Sequence, residues 1–143
     1  MEANFDNHLS RDPRFLVDPI VPQSDKFQDD RGSIVPLADE EMKSAVLISS
    51  KKGSIRANHY HKTDWHYCYV LEGKIEYHWR KVGDTGEPKK KIISAGENFF
   101  TPPLVEHAMV FLEDTNFICL GKNSRCQASY EADVVRVSLV TND

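Results

Sequence analysis

Turn-forming residues recur along this chain at intervals too short for long helices: Asp30-Arg31-Gly32, Lys52-Gly53, Glu72-Gly73, Gly83-Asp84-Thr85-Gly86, Ala95-Gly96, Pro102-Pro103 and Gly121. Between them lie short runs rich in β-branched and aromatic residues, such as Ala45-Val46-Leu47-Ile48 within 44–50, Tyr67 to Leu71, and the alternating Ile75-Glu76-Tyr77-His78-Trp79. Strands punctuated about every 8–12 residues predict an all-β antiparallel sandwich or barrel. Successive strand residues face opposite ways, so Ile75, Tyr77 and Trp79 are expected inside and Glu76, His78 and Arg80 outside. The polar stretch Val82 to Lys91 reads as an exposed hairpin loop, and Asp39 to Lys43 as a short turn.

The 143 residues, 40% of them hydrophobic, suit one globular domain. No apolar run approaches the ~20 residues of a membrane helix, and the first 25 residues lack a basic start followed by an apolar stretch, so neither a membrane partner nor a secretory signal is expected. With 18 Lys+Arg against 22 Asp+Glu, the charge gives no footprint for a nucleic acid. Three cysteines without Cys-x-x-Cys spacing point to a reducing, cytoplasmic setting. Asp12-Pro13, Asp18-Pro19 and Val21-Pro22 forbid a long helix near the start, yet Phe15-Leu16-Val17 and Ile20-Val21 need cover. Residues 1–25 are therefore read as an extended N-terminal arm laid across the domain or a partner subunit, and residues 26–143 as the β domain.

Four of the six histidines, His59, His61, His66 and His78, fall within twenty residues. On a strand, His59 and His61 project to one face. His66, past a turn at Lys62-Thr63-Asp64, can return on the neighbouring strand to the same interior, and His107 follows Pro102-Pro103. Three or four neutral imidazoles suit Zn²⁺, Fe²⁺, Ni²⁺, Cu²⁺ or Mn²⁺; the alternative is a pocket without metal in which one imidazole is a general base. His78 is assigned to the outer face and His8 to the arm.

The spacing Gly53, five residues, His59-x-His61, four residues, His66, six residues, Gly73, followed by Gly96, five residues, Pro102 and then His107, resembles the two motifs of the cupin superfamily. The resemblance implies an antiparallel jelly-roll β-barrel, a homodimer, and a site in the barrel mouth where His59, His61, His66 and His107 hold one divalent transition metal (Zn, Fe, Ni or Mn). This chain has His66 at the usual glutamate position, Leu104 at the glycine of the Pro-x-Gly turn and Phe111 at the closing asparagine. The imidazole at 66 makes the set less negative and disfavours hard cations.

Upstream, Phe27-Gln-Asp-Asp30-Arg31-Gly32-Ser33-Ile34-Val35-Pro36-Leu37, and then Arg56-x-x-His59-x-His61-Lys62, resemble nucleotide-sugar 3,5-epimerases and, more closely, 3,4-ketoisomerases. That resemblance implies His59 or His61 as the base that removes a proton α to a carbonyl, Arg56 and Lys62 as anion clamps, and Tyr77 and Trp79 stacking on base or sugar. Two features differ: Ala57 replaces the epimerase glycine, and no tyrosine lies between Tyr77 and Tyr130. Cupins of polysaccharide and amino-sugar gene products combine similar openings with a bound metal. Three functions with a small-molecule substrate follow: a keto-sugar or nucleotide-sugar isomerase or epimerase, a non-haem metal-dependent dioxygenase, and a non-catalytic ligand-binding cupin. The closing segment 123–137 is read as a last strand covering the barrel, and Cys68 as a pocket-wall or redox-sensitive thiol.

Overall fold

The computed structural model describes residues 12–23 and 26–141. His8, and residues 24 and 25 where the arm was expected to hand over to the barrel, lie outside the described residues. Two antiparallel sheets enclose the core. The first, in spatial order, is β11 (Val134–Arg136), β4 (Ile55–His61), β9 (Val105–Phe111), β6 (Lys74–Lys81) and β7 (Lys89–Ser94). Its partner is β3 (Ser44–Ser50), β10 (Thr115–Gly121), β5 (His66–Glu72) and β8 (Asn98–Thr101), and a separate hairpin joins β1 (Phe27–Asp29) to β2 (Gly32–Ile34). The arrangement is an antiparallel jelly roll, and among the described residues it is all-β apart from a short α-helix and a 3-10 turn.

Alternation places the core as expected on β6, where Ile75, Tyr77 and Trp79 are buried together with Val70, Ile93, Phe99, Phe111 and Phe117. A second apolar cluster, Phe15, Trp65, Tyr67 and Phe100, alternates with the first along β5 and β8 and so occupies the other face of that sheet. Residues 12–23 supply its cover: the 3-10 turn Pro13–Leu16 seats Phe15 against Phe100, and Phe100 N donates to Pro19 O while Val21 N donates to Asn98 O. The N-terminal segment thus satisfies the free edge of β8, a strand buried on both faces. Among the described residues no helix is long and apolar enough to cross a membrane.

Two expectations need correction. Lys89, Lys90 and Lys91 belong to β7, paired with Trp79, His78 and Tyr77, so the loop is shorter than its charges suggest. Residues 123–137 form helix α1 (Gln127–Asp133) before the three-residue β11, which pairs with β4. Asn58 holds the chain beyond β11: its main-chain oxygen accepts from Val137 N, Nδ2 donates to Val140 O, and Oδ1 accepts from Val140 N.

At the position where the family motif carries glycine, Leu104 adopts a φ of 59° with its side chain half exposed. A branched side chain in this left-handed region costs about 1–2 kcal/mol. Leu104→Gly is expected to raise unfolding stability by about 1 kcal/mol, read as a higher urea midpoint at unchanged slope.

Candidate active site

The site begins with a bulge in β4. Ala57 (φ 70°) and Asn58 (φ 54°) take left-handed conformations, and the pairing with β9 shifts between Ala57, opposite Ala108, and His59, opposite His107. The extra residue re-aims the strand, so that Arg56, Ala57, His59 and His61 all line one cavity of about 150 Å³. His59 and His107 face each other across the ladder with ring centroids 4.8 Å apart, and His61 lies one pleat further, 4.7 Å from His59. Nitrogen atoms of His59, His61 and His107 all lie within 4.8 Å of one another.

Second contacts fix how two of these rings present their lone pairs. The Nδ1 atoms of His107 and His61 stand 3.1 Å from Val105 O and from Asp133 Oδ2, so Nδ1–H donates in each and Nε2 is left as the lone-pair nitrogen. Burial, reinforced by the neighbouring imidazoles, pushes His59 down to about 3, and burial with His66 pushes His61 down to about 4; His107 falls well below its ordinary value for the same reasons. Three neutral, converging nitrogens are a donor set that fits a borderline divalent ion such as Zn²⁺, Fe²⁺ or Ni²⁺.

The fourth motif histidine is placed differently. His66 comes from β5 in the facing sheet, not from the strand beside β4, and its ring sits 4.9 Å from His61. Its Nε2 stands 3.1 Å from Asp64 Oδ2 without hydrogen-bond alignment, and Nδ1 is 3.4 Å from Thr101 Oγ1. The three-nitrogen cluster does not include it. Burial opposes its charge, but Cys119 and Asp64 outweigh that and raise its pKa. Gly121 makes room for the ring, since a Cβ there would lie 2.8 Å from His66 Cδ2.

These shifts set a pH dependence for the metal-free protein. Between about 4 and the ordinary histidine value of 6.5, the unfolded chain protonates histidines 59, 61 and 107 while the folded chain does not, so stability falls as pH falls. His66 acts oppositely, contributing stability below 6.5 that is lost as pH rises through its raised pKa. With three groups against one, the melting temperature of metal-free protein is expected to drop between pH 7 and pH 4.5.

Arg56 and Arg125 also line the cavity. Arg56 donates to Ser50 Oγ and Ser49 O, and Arg125 lies over the Tyr130 ring, 5.1 Å from its centroid. Among the described residues neither guanidinium forms a salt bridge to a carboxylate, which leaves two positive charges available to an anion. Tyr130, on α1, sets its ring 6.0 Å from His61 and 6.5 Å from His59, and burial raises its pKa. The other residues read as substrate-binding are elsewhere. Lys62 is exposed, donates to Ala132 O and does not line the cavity. Tyr77 and Trp79 stack on each other in the core with Trp79 Nε1 donating to Leu16 O, and neither lines the histidine cavity; Trp79 instead borders a second cavity with Leu16, Arg80 and Lys89. His78 is on the outer side, bonded to Glu76 at 2.8 Å. Arg125, Tyr130, Asp64 and Asp133 were not singled out from the sequence, although Tyr130 and Asp133 stand three apart on α1, a spacing that shares one helix face.

Residues 46–120 match the family model described as Cupin domain. Among solved structures, the chain is similar to a 3,4-ketoisomerase from Helicobacter canadensis, with 17% identity over 82% of this chain and 86% of that one at a TM-score of 0.63. It is also similar to QdtA, a sugar 3,4-ketoisomerase from Thermoanaerobacterium thermosaccharolyticum solved in complex with TDP, with 19% identity, 84% and 85% coverage and a TM-score of 0.58. The capsular polysaccharide assembling protein CapF from Staphylococcus aureus matches at 21% identity over 83% of this chain and a TM-score of 0.61; this chain spans only 32% of that longer one. No curated protein matches the chain.

Proposed function

This chain belongs to the cupin domain family, and on that premise we propose that it is a metal-dependent isomerase or epimerase acting on an anionic keto-sugar, a nucleotide sugar by chemical class. The observation that carries this reading is the meeting, in one cavity, of three neutral histidines, Tyr130 and two arginines without carboxylate partners among the described residues. Similarity to sugar 3,4-ketoisomerases supports it at the level of fold. His59, His61 and His107 would hold the ion, which supplies Lewis acidity toward a sugar carbonyl.

The remaining steps belong to the chain itself. Arg56 and Arg125 hold the anionic end of the substrate by charge-assisted hydrogen bonds. Tyr130 keeps its proton at neutral pH, since burial raises its pKa, and donates a hydrogen bond to a sugar oxygen. Asp133 fixes the His61 tautomer. One contact favours a second reading: with Nδ1–H held by Asp133, His61 Nε2 can itself take the proton α to the carbonyl, without an ion. The cross-strand partners Phe27 and Ile34 on the β1–β2 hairpin, and Leu47 on the edge strand β3, expose apolar side chains and support a homodimer, which sedimentation tests.

The deciding experiment incubates the protein with a panel of 4-keto-sugar nucleotides in D₂O, as purified, after chelation, and after reloading with Zn²⁺, Mn²⁺, Fe²⁺ or Ni²⁺. Deuterium entering the carbon α to the ketone is expected. Its loss on chelation and return on reloading supports the metal-dependent reading, and its survival supports His61 backed by Asp133. No exchange with any substrate, by folded and metal-loaded protein, overturns both, and oxygen uptake by the iron-loaded chain would turn the assignment to an oxygenase.

A further inference from the structure

Cys68 on β5 and Cys119 on β10 occupy directly opposed positions in the antiparallel ladder. Such opposed residues hold their Cα atoms about 4.5–5.5 Å apart, inside the 4.4–6.8 Å range that disulfides use, so the backbone already meets the requirement for a bond. Both side chains point to the same side, and their Sγ atoms stand 3.9 Å apart. A disulfide needs about 2.05 Å, a gap that rotation about χ1 of one or both side chains reduces without moving a strand. Each residue is nearly closed to bulk solvent, yet both line the cavity that holds the histidine cluster. A small oxidant that enters this cavity therefore reaches the pair. Cys126, the third cysteine, is exposed and does not line the cavity.

We propose that Cys68 and Cys119 form a reversible disulfide in the wall of the cavity when the protein meets a peroxide. The thiolate of one cysteine attacks the peroxide oxygen, breaking the O–O bond and becoming a sulfenic acid, while the departing hydroxide takes up a proton to give water. The thiol of the other, losing its proton, then attacks the sulfenic sulfur, forms the S–S bond and releases a second water. In sum two thiols lose two electrons and two protons to one hydrogen peroxide, which is reduced to two waters. The bond would tie β5 to β10 two residues from both His66 and Gly121, which are themselves paired across the same two strands. This proposal does not depend on the assigned activity.

The test treats the purified full chain with a small molar excess of hydrogen peroxide, removes the oxidant, unfolds the protein and labels free thiols with maleimide. Peptide mass spectrometry is expected to find a Cys68–Cys119 cross-linked peptide lighter by two hydrogens, with two of the three cysteines protected from label and both recovered by dithiothreitol. Cys126→Ser is expected to give the same cross-link, and Cys119→Ser to abolish it. Should Cys119→Ser fail to fold, the Cys126→Ser protein, which keeps both wall cysteines, decides alone. Full labelling of Cys68 and Cys119 after oxidation overturns the proposal, as does their conversion to acids that dithiothreitol does not reverse, or a cross-link found only between Cys126 of two chains.

Discussion

His107→Ala is expected to weaken Zn²⁺ binding at least ~100-fold, measured by competition with a chromogenic chelator, whereas His66→Ala is expected to change it by less than ~10-fold. The contrast follows from where the rings stand. His59, His61 and His107 bring nitrogens within 4.8 Å of one another, and the loss of one leaves two donors on an ion that prefers four. Changes to groups that merely orient ligands already cost 10–100-fold, so the loss of a ligand sets a floor at the upper end of that range. His66 is turned to Asp64 and Thr101 instead. A fourfold-histidine centre, as the motif spacing suggests, would make the two substitutions equally damaging. Circular dichroism of each variant separates lost ligation from lost fold, and Ala at 107 removes a ring buried against Tyr77 whose absence lowers the melting temperature as well.

The same contrast shows what was readable before the fold was known. Strand β3 was legible to its ends, and the inward set of β6 followed from period-two alternation, because a half-buried strand can bury only one of its two faces. Alternation says inside or outside but not which part of the inside. Tyr77 and Trp79, for which the resemblance implies stacking on the substrate, fill the barrel core, while Met109 and Phe117, equally apolar, reach the histidine cavity. His59, His61 and His107 were legible because two of them share one strand face and the third closes a motif of fixed spacing. The bulge at Ala57-Asn58 was not, since neither residue is the glycine that usually marks a left-handed bend. Helix α1 was hidden for a similar reason: it is seven residues long with no side-chain cap, too short for a helical period to show. With it went Tyr130 and Asp133, which reach the histidines only because β11 pairs back onto β4 some seventy residues away in sequence.

Asp133 is the residue for which that omission matters most, and Asp133→Ala is expected to lower unfolding stability by about 3 kcal/mol and metal affinity by 10–100-fold together. Its two carboxylate oxygens accept from Thr63 N, Thr63 Oγ1, Asp64 N and His61 Nδ1, and its main-chain oxygen accepts from Lys62 N. Removing the carboxylate leaves several part-buried or buried donors without a partner, each at about 1–3 kcal/mol when unrelieved by water. It also frees His61 to rotate and to exchange tautomers, which is how a residue that touches no ion controls affinity for one. Asp133→Asn separates the two effects: its amide oxygen keeps the Thr63 bonds, but its NH₂ can no longer accept from His61, so stability should recover by more than half while metal affinity stays low. Acid titration supplies a further check. These donors hold the Asp133 carboxyl below its ordinary 3.8, so the stability it contributes is complete above that value and is lost as pH falls below it. The Asn variant should lose this part of the acid limb and keep the decline between pH 6.5 and 4 that belongs to the buried histidines. Equal metal affinity in wild-type and Asn proteins would instead mean that packing alone orients His61.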